Sequence, residues 1–85
     1  MDIRYSKKVL KFLAKQESST ATRIRNAVVK LTYDPPIGDI KALQGQSGTF
    51  RLRVGSFRVI YWYGKDGNVE ILFIDEIENR GDIYK

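Results

Sequence analysis

The 85 residues, 42% hydrophobic and 29% charged, suit one globular domain, 1–85, with a modest core. The absence of Cys and His excludes a disulfide framework, a thiolate or imidazole metal site, and any triad that needs imidazole. Residues 1–65 hold thirteen basic and four acidic groups, a net +9, against two basic and six acidic, a net −4, in residues 66–85; the basic excess points to an anionic partner, nucleic acid or an acidic protein segment, with a plain solubilising surface as the other reading.

The N-terminal Met1-Asp2-Ile3-Arg4-Tyr5 lacks the apolar run of a secretory leader. No later stretch approaches the ~20 apolar residues of a membrane helix, so a soluble, cytoplasmic protein with no membrane partner is expected. Asp2 to Tyr5 reads as a short strand with Ile3 and Tyr5 on one face. Ser6 can cap a helix over residues 7–16. Val9, Phe12 and Leu13 form its apolar stripe, widened by Leu10, and Lys7, Lys11 and Lys15 form a column on the other side. Glu17-Ser18-Ser19-Thr20 offers caps for a second helix, in which Ala21, Ile24, Ala27, Val28 and Leu31 recur at helical spacing. The short connection implies an antiparallel helical hairpin. Asp34-Pro35-Pro36 ends it, because Pro disfavours helical geometry in the residue before it. Residues 35–48 read as a loop anchored by Ile40 and Leu43.

From Thr49 onward the period is two. Thr49–Val54 and Phe57–Tyr63 read as strands joined at Gly55-Ser56, a type II′ hairpin signal. Lys65-Asp66-Gly67-Asn68 is a second turn, centred on Asp66-Gly67, and Val69–Ile77 is the last strand. The order β-α-α-β-β-β predicts an α+β domain: a short N-terminal strand and two helices packed on a mainly antiparallel four-stranded sheet.

Hairpin register decides which side chains share a face. The first turn pairs Val54 with Phe57, Leu52 with Val59 and Phe50 with Tyr61, all suited to the helices. The other face pairs Arg53 with Arg58 and Arg51 with Ile60. Arginines directly opposite each other repel, so this patch reads as a site for phosphate or carboxylate, to which guanidinium forks are matched; a solvated face with splayed arginines is the alternative. The second turn places Phe73 opposite Ile60, Ile71 opposite Trp62 and Asp75 opposite Arg58. Ile60, Trp62, Ile71 and Phe73 then form either an open protein-binding patch or a surface covered by the 35–48 loop or the tail. Asp75 is positioned to orient Arg58 or to neutralise part of the patch, which counts against a pure RNA-binding reading. Alternation turns Glu76 away from Asp75, so these acids do not converge on a metal.

The basic helical hairpin, "DIKALQG", "FRLRVGSFRVIYWY" and the terminal "NRGDIYK" together resemble the RelE/ParE superfamily of toxins from toxin–antitoxin systems, over essentially the whole chain. The resemblance implies a RelE-like fold and one of two activities. RelE-type members are metal-independent endoribonucleases, needing no cofactor, that cut messenger RNA in the ribosomal A site and so inhibit translation. ParE-type members inhibit DNA gyrase. Both are held inactive by a cognate antitoxin, in a hetero-oligomer. Carried across position by position, Arg51, Arg53 and Arg58 fall where the family binds RNA phosphate and stabilises charge at the scissile group. Lys41 joins them as an RNA contact. Arg80 matches the Arg of the terminal motif, and Tyr84 matches the Tyr that helps activate the 2′-hydroxyl. Antitoxin contact is expected at Arg51, Arg53, Arg58, Trp62 and Phe73. Many active relatives carry a His or a further basic residue just before the terminal Arg, where this chain has Glu78 and Asn79. A catalytically silent binding module is therefore a third reading.

Overall fold

The computed structural model describes residues 1–79. Strand β1 (Asp2–Tyr5) leads into helices α1 (Lys7–Ala14) and α2 (Ser18–Val29) and a 3₁₀ turn at Lys30–Thr32. Strands β2 (Asp39–Ala42), β3 (Thr49–Val54), β4 (Phe57–Asp66) and β5 (Val69–Asn79) follow. The strands form one sheet in the order β1-β5-β4-β3-β2. β1 lies parallel to β5, and every other neighbouring pair is antiparallel. The α+β expectation holds, with five strands in place of four. The extra one, β2, lies inside the expected 35–48 loop and pairs Asp39–Ala42 with Arg53–Phe50 at the sheet edge. Four residues with a single half-buried apolar side chain, Ile40, carry too little alternation to announce a strand.

Local chemistry accounts for the helix ends. Ser6 accepts a hydrogen bond from the Val9 amide at 3.1 Å, and its hydroxyl donates to the Asp75 carbonyl oxygen at 2.8 Å. One side chain thus caps α1 and ties it to β5. Helix α2 starts at Ser18 with Glu17 as N-cap, and Glu17 makes no capping hydrogen bond. Leu10, expected to widen the apolar stripe, is 46% exposed, while Val9 and Leu13 are buried.

The core lies between the helices and one face of the sheet. Val9, Leu13, Ile24, Val28 and Leu31 meet Leu52, Val54, Phe57, Val59, Tyr61, Leu72, Ile74 and Ile77. Phe12 meets Phe57 edge-on at 5.8 Å between centroids, and Phe50 stacks on Tyr61 at 5.6 Å. The first hairpin has the expected register, Val54 to Phe57 through Phe50 to Tyr61. Gly55, at φ 61°, occupies the first central position that a type II′ turn reserves for glycine.

The second hairpin departs from expectation. β4 runs through Asp66 and β5 resumes at Val69, so the two-residue turn is Gly67-Asn68 and not Asp66-Gly67. Trp62 therefore faces Phe73, and Gly64 faces Ile71. The register then shifts between Ile60 and Tyr61, so that Tyr61 pairs with Ile74 while Ile60 pairs with Glu76, and Asp75 is the extra residue of a β-bulge. The physical reason is legible in the apolar positions. Leu72, Ile74 and Ile77 all face the core, and strict alternation from Ile74 would turn Glu76 and Glu78 inward. Burying two carboxylates costs several kcal/mol each, on the order of what the whole fold has to spare. The bulge removes that conflict.

Candidate functional site

The face of the sheet away from the helices is read directly from strand register. One row runs Asp39, Arg53, Arg58, Glu78, and the next runs Lys41, Arg51, Ile60, Glu76. A third runs Thr49, Trp62, Phe73, Arg4. Arg51, Arg53 and Arg58 are thus brought to one face, with Lys41 beside them, as the residue pattern requires.

The three arginines differ in their partners. Arg51 donates from Nη1 to the Asp39 carbonyl oxygen at 3.1 Å and to its carboxylate at 3.3 Å. Its side chain keeps only 11% of its surface exposed. Arg58 donates from Nε to Glu78 Oε2 at 3.0 Å and from Nη2 to the same oxygen. Arg53 is exposed and makes no ion pair within the described residues. The expected contact between Asp75 and Arg58 is therefore corrected: the later turn and the bulge together bring Glu78 into that place. The face offers an incoming anion one open guanidinium, Arg53, between two that carboxylates already hold in position. A phosphate reaching Arg58 has to displace or share Glu78, and charge-assisted forks are the strongest contacts it can make there.

The apolar patch is smaller than the sequence suggests. Ile71 is fully buried and Ile60 is 8% exposed. Trp62 stays exposed and stacks on Phe73, with centroids 5.6 Å apart and planes 26° from parallel. Beside this stack a groove of about 200 Å³ is lined by Arg4, Ser6, Trp62, Phe73 and Asp75, among others.

Phenols with displaced ionisation all point the other way. Burial pushes the Tyr61 hydroxyl well above the usual phenol range, and the neighbouring Tyr63 pushes it further. Burial raises Tyr63 too, against a hydrogen bond with Tyr61 that lowers it, and its hydroxyl donates to the Leu31 carbonyl oxygen at 2.8 Å. Tyr5 is raised by burial and partly restored by Arg25, whose guanidinium lies 5.3 Å over its ring. These rings sit on the helix side of the sheet, so none is a base for the arginine face. Arg80 and Tyr84, the remaining expected site residues, lie outside the described residues.

No protein-family model matches the sequence, and none of the curated proteins matches it. Solved structures do. The archaeal RelE of a RelE–RelB complex from Pyrococcus horikoshii aligns with a TM-score of 0.74 and 25% identity, over 94% of both chains. The isolated Escherichia coli RelE toxin aligns at 0.72 and 18% identity, over 98% of this chain and 89% of its own. A YoeB/ParE toxin from Agrobacterium tumefaciens aligns at 0.72 and 15% identity, over 93% of this chain and 98% of its own. The chain has the RelE/ParE toxin fold. Within that fold, sequence reasoning found the arginine face and missed Asp39 and Glu78, the carboxylates that hold two of its members. Glu78 had a signal, the Ile74-to-Ile77 break in alternation. Asp39 had none, because its strand was hidden in a loop.

Proposed function

We propose that the chain is the toxin of a toxin–antitoxin pair, and a RelE-like, metal-independent endoribonuclease that cleaves messenger RNA on cytoplasmic ribosomes. The observation that supports this most is the convergence of Arg51, Arg53 and Arg58 on one open face with Lys41 beside them. In this reading Arg53 takes an RNA phosphate, and Arg51 and Arg58 stabilise the charge that builds on the scissile group. The 2′-oxygen attacks phosphorus as the 5′-oxygen leaves, giving a 2′,3′-cyclic phosphate. Tyr84, as a phenolate favoured by the guanidinium cluster, takes the 2′-proton, and a water beside Arg80 gives one to the departing 5′-oxygen. A single positioned base contributes about 10²–10⁴ in rate, and positioning of the strand by the ribosome supplies a further share.

The antitoxin partner follows from the same face. The Pyrococcus horikoshii neighbour is a RelE–RelB complex. An acidic antitoxin segment covering Arg51, Arg53, Arg58, Trp62 and Phe73 here would block RNA by occupying its site. A ParE-like, non-catalytic gyrase inhibitor is the second reading, favoured by Glu78 and Asp39 already engaging two of the three guanidinium groups. Primer extension on mRNA translated in vitro decides between them. Discrete cleavages that fall at least tenfold in Arg58→Ala or Tyr84→Phe support the ribonuclease. Intact mRNA with supercoiling by gyrase inhibited moves the assignment to the ParE class.

A further inference from the structure

The groove beside Trp62 has features that phosphate binding does not use. Its wall is an aromatic pair already stacked, so the indole is held flat without further ordering. Its acidic neighbours are largely engaged elsewhere. Asp66 pairs with Arg4 at 3.1 Å, Glu76 lies 3.8 Å from Lys8, and Glu78 pairs with Arg58. Asp75 is different. Its carbonyl oxygen is fixed by the Ser6 hydroxyl, while its carboxylate makes no hydrogen bond or ion pair within the described residues. The bulge thus puts Asp75, whose carboxylate is uncommitted among the described residues, in the lining of a groove walled by Trp62 and Phe73.

We infer that this groove is a nucleobase pocket, in which a base of a single-stranded RNA stacks on Trp62 and presents N–H donors to Asp75. The inference rests on the ribonuclease reading and names where the strand goes next. An ionised carboxylate only accepts hydrogen bonds. It therefore favours a base edge with adjacent donors, guanine with N1–H and N2–H first, over uracil with one donor between two carbonyls. Arg58 and Trp62 are four residues apart on β4, about 13 Å along one strand face, a span that a few extended nucleotides cover. A phosphate at Arg53 and a base at Trp62 are thus compatible with one continuous strand. Stacking on an exposed aromatic ring is the usual way a single strand is held.

The chain has one tryptophan, so its indole emission, excited selectively over the tyrosines, reports on Trp62 alone. The test titrates the full chain with the trinucleotides UGU, UCU, UAU and UUU, by fluorescence and in parallel by calorimetry. UGU should quench the indole and bind at least about fivefold more tightly than UUU, with Trp62→Leu losing about the same factor for UGU. Asp75→Asn, which keeps the carbonyl bonded to Ser6, should bring UGU down to the level of UUU. Equal affinity for all four, or a guanine preference that survives Asp75→Asn, overturns the pocket. If Arg53→Ala weakens every trinucleotide while Trp62→Leu changes none, the phosphate face stands and the pocket falls. If calorimetry shows no trinucleotide binding at all, the pocket falls, while the ribonuclease reading stands or falls separately on primer extension with translated mRNA. An acidic peptide whose affinity drops in Trp62→Leu, with trinucleotides unaffected, would assign the groove to a protein partner instead.

Discussion

The helix-covered face of the sheet and its open face come from alternate residues of the same strands, and they treat polarity in opposite ways. Toward the helices, no charged side chain among the described residues is buried, and the deeply buried phenol of Tyr61 sits beside that of Tyr63, whose hydroxyl is itself satisfied by a main-chain carbonyl. Away from the helices, cations sit side by side with carboxylates at the row ends, and Arg51 and Arg58 are held by carboxylates while Arg53 is left open among the described residues. Packing therefore decides the first face, and electrostatics decides the second. Changes on the first should appear in stability, and changes on the second in binding.

The largest effect expected is on the covered face. Leu72 is fully buried in the core. Leu72→Ala should cost about 2–5 kcal/mol in urea unfolding, through lost transfer energy and the cavity left behind. A loss under about 1 kcal/mol would mean that this face is packed far more loosely than its burial indicates. Gly55→Ala comes next, at about 1–2 kcal/mol, because φ of 61° is a left-handed conformation that an L side chain resists. The Arg23 guanidinium beside Gly55 is the far end of a flexible side chain and can move aside. Removing it in Gly55→Ala/Arg23→Ala should therefore leave the loss in place, and full recovery would show that contact, not conformation, set the cost.

These two faces were unequally legible. On β3 and β4 the pairing through Gly55-Ser56 follows from turn chemistry alone, and it sorted Phe50, Leu52 and Val54 from Arg51 and Arg53 correctly. On β5 the Asp66-Gly67 signal places the turn one residue early, and a strict period of two carries no sign of the bulge, although past Ile74 it would point Glu76 and Glu78 into the core. The parity of the misplaced turn happened to keep Trp62 and Phe73 on the open face. It could not keep Asp75 opposite Arg58, because the later turn shifts the partner of Arg58 by two residues and the bulge by one more, to Glu78. The edge strand β2 was missed for a different reason. Its pairing with β3 is a tertiary fact, and DIKA alone carries no pattern strong enough to distinguish a four-residue strand from a loop. Asp39, and with it the anchoring of Arg51, went unseen.

A pH measurement sharpens the contrast between the faces. Folding raises the pKa of Tyr61, chiefly by burial. The folded phenol therefore holds its proton more tightly than the unfolded one. Its contribution is complete below the ordinary phenol value near 10 and is lost as pH rises through and above it. Urea midpoints should fall above about pH 10, and Tyr61→Phe should flatten that fall. An unchanged slope in Tyr61→Phe would place the alkaline loss elsewhere.

The smallest effect on stability belongs to the residue with the largest expected effect on binding. Arg53 is exposed and unpaired within the described residues, and it faces Arg58 across the ladder. Arg53→Ala removes like-charge repulsion along with a little packing of the side-chain stem, so its effect on the urea midpoint should lie within about 0.5 kcal/mol of zero. Its effect on RNA should be at least tenfold, since it is the one guanidinium of the three that no carboxylate of the described residues competes for. Glu78→Gln makes the complementary change. It frees the Arg58 fork at the cost of a partly exposed ion pair, and pairs of that kind contribute about 1 kcal/mol or less. RNA affinity should rise in Glu78→Gln and fall in Arg53→Ala, with both proteins near wild-type stability. If Glu78→Gln instead weakens RNA binding, Glu78 orients Arg58 for its ligand rather than competing with it, and the open face is a preassembled site and not a guarded one.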